Sequence, residues 1–337
     1  MSSPSIAAEP GTRQLTIAQA VNEALAEELR RDERVFLIGE DIAEAGTPFK
    51  VLSGLVEEFG TARIVDSPIS EAGITGLGVG AAMTGMRPVV DIMFGDFLTL
   101  VMDQLANQAA KAHYMSGGKL TVPLVLRTTL GATRRSAAQH SQSLQAWVAH
   151  VPGLKVVLPS TPYDAKGLLK AAIRDDNPVV FIEDKLEWRL TGHVPDGEYT
   201  LPFGVADVKR VGADITLVGT SSMVRICLEA AELLAAEGIS AEVIDPRTLT
   251  PLDEDALVAS AEKTGRAIVV DEGHRSYGVT AELASVINER AFYHLDAPVR
   301  RLGAMDVPVP FSPSLEDQTV PTPEGVAAVA RELCGRG

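Results

Sequence analysis

Two short segments carry residue types suited to proton chemistry. In the first, Ser67-Pro68-Ile69-Ser70-Glu71-Ala72-Gly73-Ile74, Ser67 reads as an N-cap with Pro68 at the first helical position, which puts Glu71 in the first turn of a helix or just before it. A carboxylate there is stabilised by the helix dipole, and a first-turn acid needs no further function. The second, Gly131 to Ser143, is a polar loop of small residues between apolar strands that carries Arg134, Arg135 and His140. Loops of that length in compact domains are usually functional, and a histidine set among Gln139, Ser141 and Gln142 faces solvent or ligand more readily than core. The other histidines (His113, His150, His193, His274, His294) show no metal-ligand spacing. A third segment, Phe94-Gly95-Asp96-Phe97, runs into Val101, Gln104, Asn107 and Gln108, and its aromatics read first as core packing. Gly76, Gly78 and Ala81 fit GxGxxA, but a dinucleotide fingerprint needs a strand directly before its first glycine. Here the glycines fall inside a helix already begun, where small residues fit close approach to another helix or backbone.

The elements that must position these residues alternate along the chain. Thr16 with Gln19 forms a capping box ahead of Ile17, Val21, Leu25 and Leu29 at helical spacing. Short apolar runs at 35–38, 88–92, 123–127, 155–158 and 179–182 read as buried strands, separated by helices at about 70–84, 98–114 and 163–174. Beyond a charged, Gly- and Pro-containing stretch, strands at 215–219, 241–244, 267–271 and 299–302 alternate with helices near 253–263 and 279–290 and one carrying Met223, Ile226, Cys227, Ala230 and Leu234. Continuous apolar strands alternating with helices predict an α/β chain with two parallel-sheet α/β domains. The expected organisation is a disordered lead-in over 1–14, a first domain over 15–190, a linker over 191–207 and a second domain over 208–337.

Composition bounds the function classes. With 337 residues, 46% hydrophobic and 22% charged, the chain can build two real cores, which excludes disorder, collagen and coiled coil. Asp+Glu number 45 against Lys+Arg 30, a formal charge of −15 that repels nucleic acid and attracts a basic protein domain. Two cysteines, Cys227 and Cys334, make neither a disulfide framework nor a metal site and fit a reducing, cytoplasmic setting. The first residues lack the apolar stretch of a signal peptide, and no run of 18 apolar residues points to a membrane.

Five segments in register resemble a known family: Gly39-Glu40-Asp41, Asp66 to Ile74, Asn107-Gln108-Ala109-Ala110-Lys111, Gln139-His140-Ser141-Gln142-Ser143 and Pro152 to Val157. Together they resemble the β subunit of the thiamine-diphosphate-dependent 2-oxo acid dehydrogenases, the E1 component of pyruvate, branched-chain 2-oxo acid and acetoin dehydrogenase complexes. The resemblance runs from about Leu15 to the segment Val307-Pro308-Val309-Pro310-Phe311-Ser312-Pro313.

The resemblance implies a pyrimidine-binding thiamine-diphosphate fold followed by a transketolase C-terminal-like domain, with the cofactor at the α–β interface of an α2β2 heterotetramer. Glu71 matches the glutamate that bonds the aminopyrimidine ring, where a shared proton favours the imino tautomer able to deprotonate the thiazolium carbon. Phe97 matches the aromatic packed on that ring, Ile69 the apolar residue beside it, and Glu40 an acid near the polar path between two active sites. His140 matches the active-site histidine, expected to handle protons or contact the lipoyl group. Leu124, Ala172, Ile173, Asp175 and Asn177 match positions that hold a structural potassium ion, mostly through backbone carbonyls.

Gly95-Asp96-Phe97 lacks the second glycine of the Gly-Asp-Gly motif that holds magnesium and diphosphate in such enzymes. The implied α subunit must therefore supply the magnesium half of the site. The family also implies docking of the second domain to the small basic binding domain of the E2 acyltransferase. Whether the substrate is a 2-oxo acid or acetoin stays open, though Thr128 to Ser136 looks closer to acetoin-type chains. The rivals are a split transketolase acting on sugars, a silent scaffold of the same fold, and a lone nicotinamide-dependent dehydrogenase using Gly76 to Ala81.

Overall fold

A computed structural model describes residues 11–47 and 49–335, so most of the expected lead-in lies outside the described residues. The first strands are β1 (Thr12–Thr16), β2 (Val35–Gly39), β3 (Ile64–Asp66), β4 (Arg87–Asp91), β5 (Val125–Leu130), β6 (Lys155–Val157) and β7 (Val179–Asp184). They are followed by β8 (Thr191–Pro195), β9 (Asp207–Arg210), β10 (Ile215–Gly219), β11 (Ala241–Asp245), β12 (Thr248–Thr250), β13 (Ala267–His274) and β14 (Arg300–Ala304). One sheet has the order β12-β6-β7-β5-β4-β2-β3 and the other β14-β13-β10-β11-β9. Neighbours in both run parallel, as expected, except that β12 and β9 are antiparallel edge strands.

The continuous apolar runs are explained by layers on both faces. Along a strand successive side chains point to opposite sides. Val35, Leu37, Val125, Val179 and Phe181 therefore pack on one side against the helices Ile17–Arg31 and Pro162–Arg174. Phe36, Ile38, Leu126, Val180 and Ile182 pack on the other, against Ile74, Val79, Leu98, Val101 and Leu105. The second sheet is likewise covered on both faces. The capping box forms as read: Thr16 Oγ1 accepts the Gln19 N–H at 3.1 Å and Gln19 Oε1 accepts the Thr16 N–H at 2.8 Å.

Two expectations need correction, and two further features were not expected. The end of the 1–14 lead-in is ordered, because Thr12 to Gln14 belong to β1, which pairs with β8 in the segment expected to be a linker. Ser67 is not an N-cap: its N–H continues the ladder to the Gly39 carbonyl at 2.9 Å, which keeps it extended, and the helix Glu71–Met83 begins after Ser70. The helix expected at 98–114 runs from Leu98 to Met115 with a π-helical stretch over Asp103–Ala109. Finally, β12 leaves the second half of the chain to pair with β6 at the edge of the first sheet.

No strand runs directly into Gly76, which lies inside Glu71–Met83. Gly78 is small because a Cβ there would stand 2.4 Å from Val90 Cγ2 on the sheet. Among the described residues no helix is long and apolar enough to cross a membrane.

Candidate active site at the carboxyl ends of the strands

The predicted site residues share one edge of the fold. Glu40 follows β2, Ile69 and Glu71 follow β3, Phe97 follows β4 and His140 follows β5. Strands β3, β2, β4 and β5 are consecutive neighbours, so all four connections emerge side by side at the carboxyl ends. In open α/β sheets that crevice is where ligands bind.

Glu71 opens its helix, half-buried, and no described residue bonds its carboxylate. Burial, then the negative charges of Asp41 and Glu71, raise the pKa of Glu40, so the Glu40 and Glu71 carboxylates sense one another. Ile69 is 73% exposed, an aliphatic side chain held in the open beside Glu71. Phe97 is half-buried and meets the His140 ring edge-on at 5.6 Å, while Phe94 meets it at 4.8 Å. The structure therefore brings His140 and Phe97 into contact and places Glu71 with Glu40. An open carboxyl with an exposed aliphatic side chain two residues before it leaves both a polar and an apolar surface available to a ligand.

The His140 loop is tightly held. Thr133, Arg135 and Ala137 all have positive φ (64°, 61° and 58°), a conformation that persists only where surrounding contacts impose it. Those contacts exist: Ala132 N–H donates to Glu272 Oε1 at 2.5 Å, Arg134 Nη1 to the Lys185 carbonyl at 3.0 Å, and Arg135 Nη1 to Glu316 Oε2 at 2.8 Å. Asp96, buried, accepts the Gln142 N–H (3.1 Å) and its Nε2 (2.9 Å) on Oδ1. The carboxylate of the incomplete Gly-Asp-Phe motif thus points into the protein and fastens the loop. A cavity of about 440 Å³ lies behind the loop, between the two sheets. It is lined by Ser141, Gln142, Glu272 and His274 and touches neither Glu71 nor Phe97, so it is distinct from the predicted site.

Several buried charges were not read from the sequence. Arg127 on β5 bonds Asp91 of β4 and both carboxylate oxygens of Glu183 on β7, and Trp188 Nε1 donates to Glu183 Oε2 at 2.7 Å. The two carboxylates hold the Arg127 guanidinium firmly charged, while burial pushes Asp91 above the usual carboxylate range. Lys185, just past β7, is buried and donates to the His140 carbonyl. A signal was available: Arg127 interrupts an apolar run, and Glu183-Asp184-Lys185 closes another.

Four of the potassium-matching residues lie in one turn of chain, and Leu124 is joined to the strand that follows it. Ile173 and Asp175 carbonyls both accept Arg87 Nη1 at 3.0 Å, the Leu124 carbonyl accepts the Val179 N–H at 2.9 Å, and the Ala172 carbonyl accepts the Asp175 N–H at 3.3 Å. Asn177 donates its N–H and Nδ2 to Asp175 Oδ1 at 2.8 and 2.9 Å. The cation held here by two of these oxygens, the Ile173 and Asp175 carbonyls, is the Arg87 guanidinium.

Residues 13–191 match the transketolase pyrimidine-binding domain and residues 204–326 the transketolase C-terminal domain. The chain is 49% identical over 335 residues to the β subunit of acetoin:2,6-dichlorophenolindophenol oxidoreductase from Bacillus subtilis, covering 96% of this chain and 98% of that one. The β subunit of 2-oxoisovalerate dehydrogenase from the same organism is 45% identical (95% and 98% covered), as is the mitochondrial pyruvate dehydrogenase E1 β subunit of Dictyostelium discoideum (96% and 92%). The chain belongs to the E1 β-subunit family. A solved split-gene transketolase, described as an inactive β4 tetramer, superposes with a TM-score of 0.79 at 22% identity over 95% of this chain and 98% of that one, a likeness of fold alone. E1 β subunits of three substrate classes lie within a few per cent of one another in identity, so overall similarity does not choose among them.

Proposed function

We propose that this chain is the β subunit of an α2β2 E1 enzyme that decarboxylates a 2-oxo acid, or cleaves acetoin, and passes the acyl group to a lipoyl-bearing E2 acyltransferase. The observation that carries the reading is the open Glu71 carboxyl beside Ile69 and Glu40, on the same carboxyl-end edge of the sheet as the Phe97–His140 pair. When bound, thiamine diphosphate supplies a nucleophilic carbon and an electron sink. Glu71 shares a proton with the ring nitrogen of the aminopyrimidine, and Ile69 and Phe97 give that ring its aliphatic and aromatic walls. Glu40, which burial makes readier to keep its proton, relays protons to and from Glu71. No described residue bonds the His140 ring nitrogens, which leaves them free to move a proton at the acyl oxygen or to meet the lipoyl sulfur.

Asp96 is already bonded to Gln142, so the magnesium and diphosphate fall to a Gly-Asp-Gly motif of the α subunit. The charge of −15 favours a small basic E2 binding domain as the docking partner. Potassium at Leu124, Ala172, Ile173, Asp175 and Asn177 would have to use the second lone pairs of carbonyls that already face N–H donors.

The test is production with an α-type chain and assay against pyruvate, branched-chain 2-oxo acids and acetoin. The lone chain is expected to be silent, and Glu71→Gln to lower kcat of the assembled enzyme by about 10²-fold or more without changing assembly. Turnover by the lone chain, or a Glu71→Gln enzyme of full activity, contradicts the reading. Ketose donors outcompeting short 2-oxo acids would favour a split transketolase instead.

A further inference from the structure

Lys185 has no part in the reading so far, and its position is unusual. An ammonium taken out of water is costly unless a specific partner holds it. Its partner is the main chain of His140, whose carbonyl accepts the Nζ proton. The same Nζ lies 5.4 Å from the centre of the Phe94 ring, a cation–π contact, and Phe94 is one of the two rings that seat the His140 imidazole. Burial opposes the charge on the ammonium, as does Arg134, while the Asp96 carboxylate and the Asp184–Glu272 carboxyl pair favour it.

The geometry makes His140 dependent on its backbone. No described residue bonds its ring nitrogens, so the ring is placed only by Phe94, Phe97 and the main chain. Asp96 fixes that main chain at Gln142, and the only other side chain that fixes it among the described residues at His140 itself is Lys185. We propose that Lys185 is a positioning residue for the His140 imidazole, pinning the loop by the His140 carbonyl so that the ring stays seated against Phe94 and Phe97. A shift of about 1 Å in a reacting group costs up to about 10²-fold in rate, so one such pin matters.

The inference rests on the reading that His140 acts in the reaction, and a double-mutant cycle separates the two. Lys185→Met keeps the bulk and loses the donor; Lys185→Gln keeps an N–H donor without the charge. Each is made alone and with His140→Ala, assembled with the α chain, and kcat, KM and the thermal midpoint are measured. Lys185→Met is expected to lower kcat by about 10- to 100-fold at unchanged KM, and Lys185→Gln by less than about fivefold. On the His140→Ala background Lys185→Met is expected to cost less than about twofold. An equal loss with and without His140, or full kcat in an assembled Lys185→Met enzyme, overturns the proposal. If Lys185→Met does not assemble, Lys185→Gln and Lys185→Arg run the same cycle: near-normal kcat supports the pin, and a loss undiminished by His140→Ala overturns it. A His140→Ala enzyme at full rate overturns both readings, whereas a slow one with uncoupled Lys185 overturns only this one.

Discussion

Glu272, near the end of β13, and Asp184, at the end of β7, bring their carboxyl groups together across the boundary between the two sheets, beside Gly131. Two buried carboxyls in contact cannot both ionise at ordinary pH without strong repulsion. Burial first, then the charge of Asp184, holds Glu272 well above the usual carboxylate range, while the Ala132 N–H works the other way.

The sign of the pH dependence follows. A carboxyl raised in the folded state keeps its proton while the unfolded chain has lost it, so its stabilising contribution is complete below the ordinary carboxylate range and is lost as pH rises through the raised value. Glu272→Gln retains an acceptor for Ala132 and donates to Asp184 without titrating. We expect thermal midpoints measured from pH 5 to pH 9 to fall less steeply with pH in Glu272→Gln than in the parent; parallel curves would count against a shared proton.

Arg127 satisfies Asp91 and Glu183 at once. Arg127→Met strands two buried carboxylates, a change on the order of 3–5 kcal/mol. The expected outcome is a large drop in the denaturation midpoint, or chain recovered only as aggregate. A midpoint within a degree of the parent would mean that the network adds nothing to the fold.

Arg87 is bonded to two carbonyls at the carboxyl end of the helix Pro162–Arg174, those of Ile173 and Asp175, and also pairs with Asp176. Removing the guanidinium in Arg87→Met leaves those oxygens without a donor, at about 1–3 kcal/mol. Potassium, but not choline, is then expected to recover part of the loss, because the vacated oxygens become ligands for a bare cation. Thermal unfolding in matched chloride salts reads this directly; equal midpoints in the two salts speak against an alkali-ion site.

The helix that Glu71 opens shows an exposed face of Ala72, Gly73, Gly76, Leu77 and Gly80, with Leu77 54% exposed. Residues at that spacing share one side of a helix, and an apolar stripe open to water is typical of a subunit contact. A Cβ at Gly80 would meet nothing within 4 Å in the single chain. Gly80→Leu should therefore leave the unfolding of the lone chain unchanged or slightly improved, yet lower the mass of the assembled enzyme in light scattering. An unaltered mass would place the subunit contact elsewhere.

How far the sequence could be read depended on how each residue is buried. Strands such as Val35 to Ile38 and Ile215 to Gly219 are apolar throughout because layers cover both faces, and they are legible for that reason. The Thr16–Gln19 box needs only local chemistry. His140 stands out as a candidate because a polar loop contrasts with apolar strands, whereas Glu71 by itself reads as an ordinary first-turn acid and becomes a candidate only through the family resemblance. Ser67 misled because a Ser-Pro pair satisfies the local rule for a cap, while the ladder bond to Gly39 that holds it extended comes from a distant strand. The strands β1 and β12 are short and polar, and only their partners make them strands. Lys185 and Arg127 escaped because an isolated charge reads by default as surface, and their burial depends on partners far along the chain.

The short strand Thr248–Thr250 has a practical consequence for anyone who would dissect this protein. It closes an edge of the other half's sheet against Val156 and Val157. A fragment ending in the crossover would display that rim uncovered, a template on which further chains can pile up. The two halves are accordingly expected to misbehave when produced apart and to recover when mixed, as pieces of one fold rather than as beads on a string.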